Sequence, residues 1–194
     1  MSLVLALLVL VLAAGSRVVG AHTPALANFA PLMALTFCGA VYLRDKRLWF
    51  VPFAALTLSD LFLDPYYSTV FQETWLWPSV ALRALCFACA IPIGAAVARN
   101  KSWLSLLGGA LGCSMIFYVI TNTDAWARDP AYVKNAAGWF QAMTVGRPEF
   151  PPTLFFFRNT LASDLLFTGI FAGAMEYAAL RAGQPSLLAK RVTA

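Results

Sequence analysis

The stretch WPSVALRALCFACAIPIGAAVARNKSWLSLLGGALGCSMIFYVIT, Trp77 to Thr121, decides how this chain folds. It holds two apolar runs separated by Arg99, Asn100 and Lys101, and Arg83 is the only charged residue inside either run. Each run is close to the roughly 20 residues a helix needs to cross a hydrocarbon core about 30 Å thick. Two such helices joined by a short basic turn make a hairpin whose turn belongs on the cytoplasmic side of a membrane.

Composition extends that reading to the whole chain. Of its 194 residues 60% are hydrophobic and 12% charged, with a mean hydropathy of +0.71. Soluble domains carry about 25% charged residues. Six apolar segments are found, at about residues 2–20, 29–43, 48–63, 77–98, 102–121 and 154–180. They leave no length for a second domain, so residues 1–194 form one transmembrane helical unit. The first segment has small residues after its apolar run, as a signal peptide does, but lacks a basic leader and is read as a span.

Charge fixes the expected topology. Arg44, Lys46 and Arg47, then Arg99 and Lys101, then Arg181, Lys190 and Arg191 hold eight of the 14 basic residues. Six spans with both termini cytoplasmic put all three groups inside, and put Asp64, Glu73, Asp124, Asp129 and Glu149 in the outer connections. The expectation is an all-α, multi-pass protein of the plasma (inner) membrane, with the lipid bilayer as its first partner. Short basic clusters between apolar runs do not make the continuous face that nucleic acid requires, so nucleic-acid binding is excluded. In the last outer connection, Asp129 as N-cap, Pro130 at the first helical position and the spacing of Tyr132, Ala136, Trp139, Phe140 and Met143 predict a short amphipathic helix, a candidate lid.

Against this background the ionisable residues inside the spans stand out. Asp60, Arg83, Arg158 and Asp164 fall near the outer ends of three helices, where a charge needs a partner or a water-filled cavity. Asp64, Asn122, Trp126 and Asn159 are expected at the same level, with His22, Asn28, Tyr66, Trp139 and Cys86 as secondary contributors. Arg83 and Arg158 suit forked recognition of carboxylate or phosphate, and Asp60 and Asp164 would orient them. Interhelical pairing, as Arg83–Asp60 and Arg158–Asp164 or crossed, is the structural alternative. Glu176 is expected near Arg181 at the cytoplasmic end, reaching for solvent.

Other patterns carry less. Cys86 and Cys89 share a helix face and suit packing, with a soft metal as the alternative. Gly108–Gly112 and Gly169–Gly173 have the spacing that lets apolar helices approach closely. Hydrolase and phosphate-loop motifs are absent, and no cofactor is called for.

The segments AHTPALANFAPLMALTFCGAVYL, FVPFAALTLSDLFLD, ITNTDAWA and FFRNTLASDLLFTGIFAG resemble a domain-of-unknown-function family of small bacterial integral membrane proteins. In size, span number and outer-loop emphasis the chain is loosely similar to S components of energy-coupling-factor vitamin transporters. That resemblance implies capture of a small solute, vitamin-like or metal-containing, at the outer face and coupling to a cytoplasmic ATPase module. It also implies that Cys86 could approach a cobalamin. The docking spacing Ala-x-x-x-Ala is missing from the first helix, LVLALLVLVLAAG. The functional expectation is a solute-binding transport protein rather than an enzyme. A membrane scaffold with structural ion pairs, and an intramembrane enzyme using Asp60 and Asp164 as a pair, are the alternatives.

Overall fold

The computed structural model describes residues 3–70 and 77–189. Among them are seven helices and no strand: α1 Leu3–His22, α2 Leu32–Tyr42, α3 Val51–Val70, α4 Trp77–Arg99, α5 Trp103–Arg128, α6 Ala136–Met143 and α7 Thr153–Arg181. Short 3-10 turns lie at Pro24–Leu26 and Lys46–Phe50. Val80–Arg99 and α5 are long and apolar enough to cross a membrane.

The bundle is organised around α2. Its 11 residues rise only about 16 Å, and Leu32, Met33, Ala34, Thr36, Phe37, Cys38, Gly39 and Ala40 are all buried. A helix apolar on every side belongs in the middle of other helices, and α2 packs against α3, α4, α5 and α7. Two glycines admit it. A Cβ on Gly94 of α4 would lie 2.6 Å from the Phe37 carbonyl oxygen, and one on Gly109 of α5 would lie 2.6 Å from the Phe37 ring. Gly108, Gly112, Gly169 and Gly173, whose spacing predicts close contacts, instead face open space.

Polar groups are buried beside the apolar core, while large apolar side chains lie on the outside. Thr36, Ser59, Ser114, Asn159, Ser163, Asp164, Thr168 and Glu176 are buried. Leu61 and Phe62 of α3, Leu104 and Leu111 of α5, and Leu166 and Ile170 of α7 are exposed. The buried face of α7 is thus largely polar and its outer face apolar.

Three boundaries differ from those expected. α3 continues through Pro65 to Val70, and α5 continues through Asn122 and Trp126 to Arg128. α6 begins at Ala136, not beside Asp129. Asp129 ends α5 and its side chain accepts from the Ala131 N–H, while Asn135 caps α6 by accepting from the Gly138 N–H. A cap residue followed by proline therefore makes a turn here, and a second cap further on starts the helix.

Candidate functional site

The structure separates the expected site residues into distinct groups. On α3, Asp60 receives two guanidinium groups. Arg17 Nη1 of α1 lies 2.8 Å from Oδ1 as an ion contact without hydrogen-bond alignment, and Arg83 Nη2 of α4 donates to Oδ2 at 3.1 Å. These three side chains are only 12–13% exposed. Arg17 also donates to the Leu56 carbonyl at 3.0 Å and to Ser59 Oγ. The expected Arg83–Asp60 pair is present, and Arg17 completes it. The sole charged residue of the first apolar run was the available signal.

Asp164 is held differently. It is 1% exposed, and among the described residues no cation pairs with it. Ser114 Oγ of α5 lies 2.6 Å from its Oδ2, and the backbone N–H of Ala34 in the first turn of α2 faces the carboxyl group. Helix α2 starts after Pro31 without a side-chain cap. Asp164 thus supplies an acceptor at an uncapped helix N-terminus, where the backbone dipole favours one.

The expected Arg158–Asp164 pair is not made. Six residues at 3.6 per turn turn the two side chains about 120° apart. Arg158 is exposed, with its guanidinium 4.4 Å from the centre of the Phe155 ring and its Nη2 3.4 Å from Asn159 Oδ1. Asn159, by contrast, is buried and donates through Nδ2 to the carbonyls of Ala25 at 3.0 Å and Ala27 at 2.9 Å. Ser163 donates to Ala30 at 2.8 Å. Together they fasten the α1–α2 connection to α7. Asp60 and Asp164 share no partner: one is held by α1 and α4, the other by α5 and α2. The geometry does not bring them together as an acid/base pair.

At the opposite end of the bundle, Glu176 is fully buried rather than reaching for solvent beside Arg181. Lys101 Nζ lies 2.5 Å from its Oε1, Tyr42 donates to Oε1 at 2.9 Å and the Leu187 N–H donates to Oε2 at 2.7 Å. This carboxylate ties α2, α7 and the α4–α5 turn to the segment that follows α7.

The cavity lies where α5 ends and α7 begins, with a volume of about 190 Å³. Phe117, Tyr118, Thr121 and Asn122 of α5 form one wall, and Phe156, Phe157 and Thr160 of α7 another. Asn28, Tyr132, Gly146, Arg147, Phe150, Pro151 and Thr153 close it. Apolar and aromatic walls with a few oriented polar groups are the usual make-up of a small-molecule site.

Local backbone geometry builds this rim. Gly146 has φ +69°, and a Cβ there would lie 2.6 Å from Thr153 Oγ1. Asn28, at φ 63°, is one of the few residue types that tolerate the left-handed region. Arg147 Nη1 lies 3.2 Å from Asp129 Oδ2 and its Nε 3.3 Å from Glu149 Oε2. Burial, and then the Asp129 carboxylate, push the Tyr132 hydroxyl above its ordinary range, so it stays a neutral donor. Tyr118 donates to the Met143 carbonyl, and Trp139 Nε1 donates to Thr123 Oγ1 at 3.0 Å, fixing α6 across the end of α5.

Of the expected site residues, the cavity takes Asn122 and Asn28. Trp126 and Trp139 hold the surrounding connections, Trp126 by donating to the Val133 carbonyl at 3.0 Å. His22 Nδ1 bonds the Val18 carbonyl, and its ring lies 4.2 Å from that of Tyr66. Cys86 is buried in the apolar core, and no metal-binding group of three or more His, Cys, Asp or Glu occurs among the described residues. The Asp64 side chain lies outside what the structure describes. Arg147 was missed because a lone arginine in GRPEF reads as a solvated loop charge. Tyr118, Thr121 and Asn122, and Phe156, Phe157 and Thr160, each follow the three-to-four spacing of one helix face, a signal present in the sequence.

These features define the class: an all-helical bundle with polar groups inside, large apolar side chains outside and a cavity at one end. The chain matches the family of unknown function DUF6580 over residues 1–187 and belongs to it. No curated protein and no solved structure matches it.

Proposed function

We propose that this protein is a multi-pass protein of the inner membrane, with both termini cytoplasmic and the short α2 enclosed by the longer helices, that binds a small polar solute in the cavity at its outer end. The outward display of Leu61, Phe62, Leu104, Leu166 and Ile170 around a polar interior supports placement in lipid. The observation that carries solute binding is the composition of the cavity. Arg147, held between Asp129 and Glu149, supplies guanidinium N–H groups, Asn28, Asn122, Thr121 and Thr160 supply polar groups, and Tyr118, Tyr132, Phe117, Phe156 and Phe157 supply flat surfaces. Such a set suits a strongly polar molecule with an apolar portion. Transport of the S-component kind, with a coupled cytoplasmic module, is the use this reading gives the site.

Native mass spectrometry of the detergent-purified full chain, with identification of any retained small molecule, tests this. The expected result is a stoichiometric metabolite that Arg147→Ala releases while the bundle stays folded. An empty parent chain that remains empty after incubation with vitamins, organic acids and metal complexes would contradict it. A second reading, a membrane scaffold, draws support from Asp60 and Glu176, whose charges are used within the bundle. Specific co-purification of a protein partner with no retained metabolite would favour it.

A further inference from the structure

Asp164 and Ser114 lie directly beneath the cavity in the helical register. Ser114 precedes Phe117 and Tyr118 by three and four residues on α5, and Asp164 follows Thr160 by four on α7. One turn is about 6 Å of descent. A buried carboxyl group that no cation pairs with among the described residues therefore sits one turn below the floor of the site.

Two protonation states satisfy the hydrogens at this position, and the uncompensated buried charge of one favours the other. Ser114 Oγ lies 2.6 Å from Asp164 Oδ2 and 3.1 Å from the Ala110 carbonyl oxygen. A hydroxyl has one hydrogen and cannot donate to both. Oδ1 keeps no hydrogen-bond partner in either state; with Asp164 as a carboxylate, Ser114 donates to Oδ2 and a buried negative charge has the α2 N-terminus but no cation beside it. With Asp164 as a carboxylic acid, Oδ2–H donates to Ser114 Oγ and Ser114 donates to Ala110, so each hydrogen has an acceptor. The other groups facing Asp164 are the Ala34 N–H and the Cys38 thiol on α2 and the Cys113 thiol on α5. Thr168, one turn further along α7, is fully buried and its hydroxyl faces the Cys38 thiol.

We infer that Asp164, with Ser114, is a proton-binding site under the cavity. Hydronium delivers the proton to Oδ2, water leaves, and the acid form bonds Ser114; the reverse step returns the proton to water. An intramembrane acid without a cation is the kind of group that carries protons in membrane proteins. The use of this proton in solute binding rests on the function proposed above, whereas the site itself does not.

Infrared difference spectroscopy of the full chain in lipid nanodiscs, recorded as a pH series without solute, tests the site. The expected result is a carbonyl stretch of one protonated carboxyl group per chain, lost as pH rises. It is absent in Asp164→Asn and shifted in frequency in Ser114→Ala, which removes a hydrogen-bond acceptor. If Asp164→Asn does not fold, the shift in Ser114→Ala decides. No such band, a band that survives Asp164→Asn or ignores Ser114→Ala, or one constant across the pH range would overturn the proposal. Because no solute is used, failure here leaves the cavity proposal standing, and an empty cavity leaves this one standing.

Discussion

Asp60 and Asp164 occur in the same short motif, Ser-Asp-Leu, at residues 59–61 and 163–165, yet the bundle treats them in opposite ways. Asp60 faces two guanidinium groups, one from each flanking helix. Asp164 faces a hydroxyl, a helix N-terminus and two thiols. The first is a cross-link between charges. The second is an acid in a neutral, hydrogen-bonded setting beneath a cavity. The contrast teaches that a carboxyl group inside a helical bundle takes its role from the helices packed against it, and not from its own motif.

Substitutions sharpen that contrast, and the largest effect falls on Asp60. Asp60→Ala removes the carboxylate that two largely buried arginines share, and breaking such a group costs about 3–5 kcal/mol. Denaturant unfolding in mixed micelles should show a loss of that order; a loss no larger than that of an exposed control would mean the pairing is incidental. Glu176→Ala comes next. Its Lys101 partner is 27% exposed and is partly rescued by water, so a loss of about 1–3 kcal/mol is expected by the same assay.

Asn159→Ala removes the donor to two carbonyls of the α1–α2 connection, worth about 1–2 kcal/mol. Hydrogen exchange should become faster near residues 25–30 and stay unchanged around Glu176; uniform change would argue against a local clamp. The smallest effect belongs to Asp164→Asn. An amide can donate to Ser114 as the acid form does, so thermal stability should fall by less than about 1 kcal/mol. A loss as large as that of Asp60→Ala would show that Asp164 is a structural charge.

Much of this architecture was legible in the sequence. Hydropathy placed α4 and α7 closely, because long apolar helices register clearly in a chain of this composition. The ends were harder. Asp64-Pro65 reads as a stop, but α3 carries the proline internally and runs on to Val70. The same ambiguity moved the predicted start of α6, where Asp129 serves a turn and Asn135 the cap. The site was legible only in part. Asn28 lies in the α1–α2 connection and Asn122 near the end of α5, both in polar stretches of sequence, and both were found. Arg158 was misplaced, because its distance from Asp164 along the chain says nothing of the angle between them until the helix is built. Arg17 and Arg147 required the tertiary structure, since each gains its meaning from residues far away in sequence.

The central claim is that the apolar outer belt lies in lipid while the cavity opens to water on the outer side. Cysteine labelling in intact cells with a membrane-impermeant maleimide tests it directly, with the parent chain as background. Thr121→Cys and Arg147→Cys in the cavity should label from outside without permeabilisation, and Leu166→Cys on the apolar belt should not. Labelling of Leu166→Cys as readily as Arg147→Cys, or labelling of the cavity positions only after permeabilisation, would contradict the account.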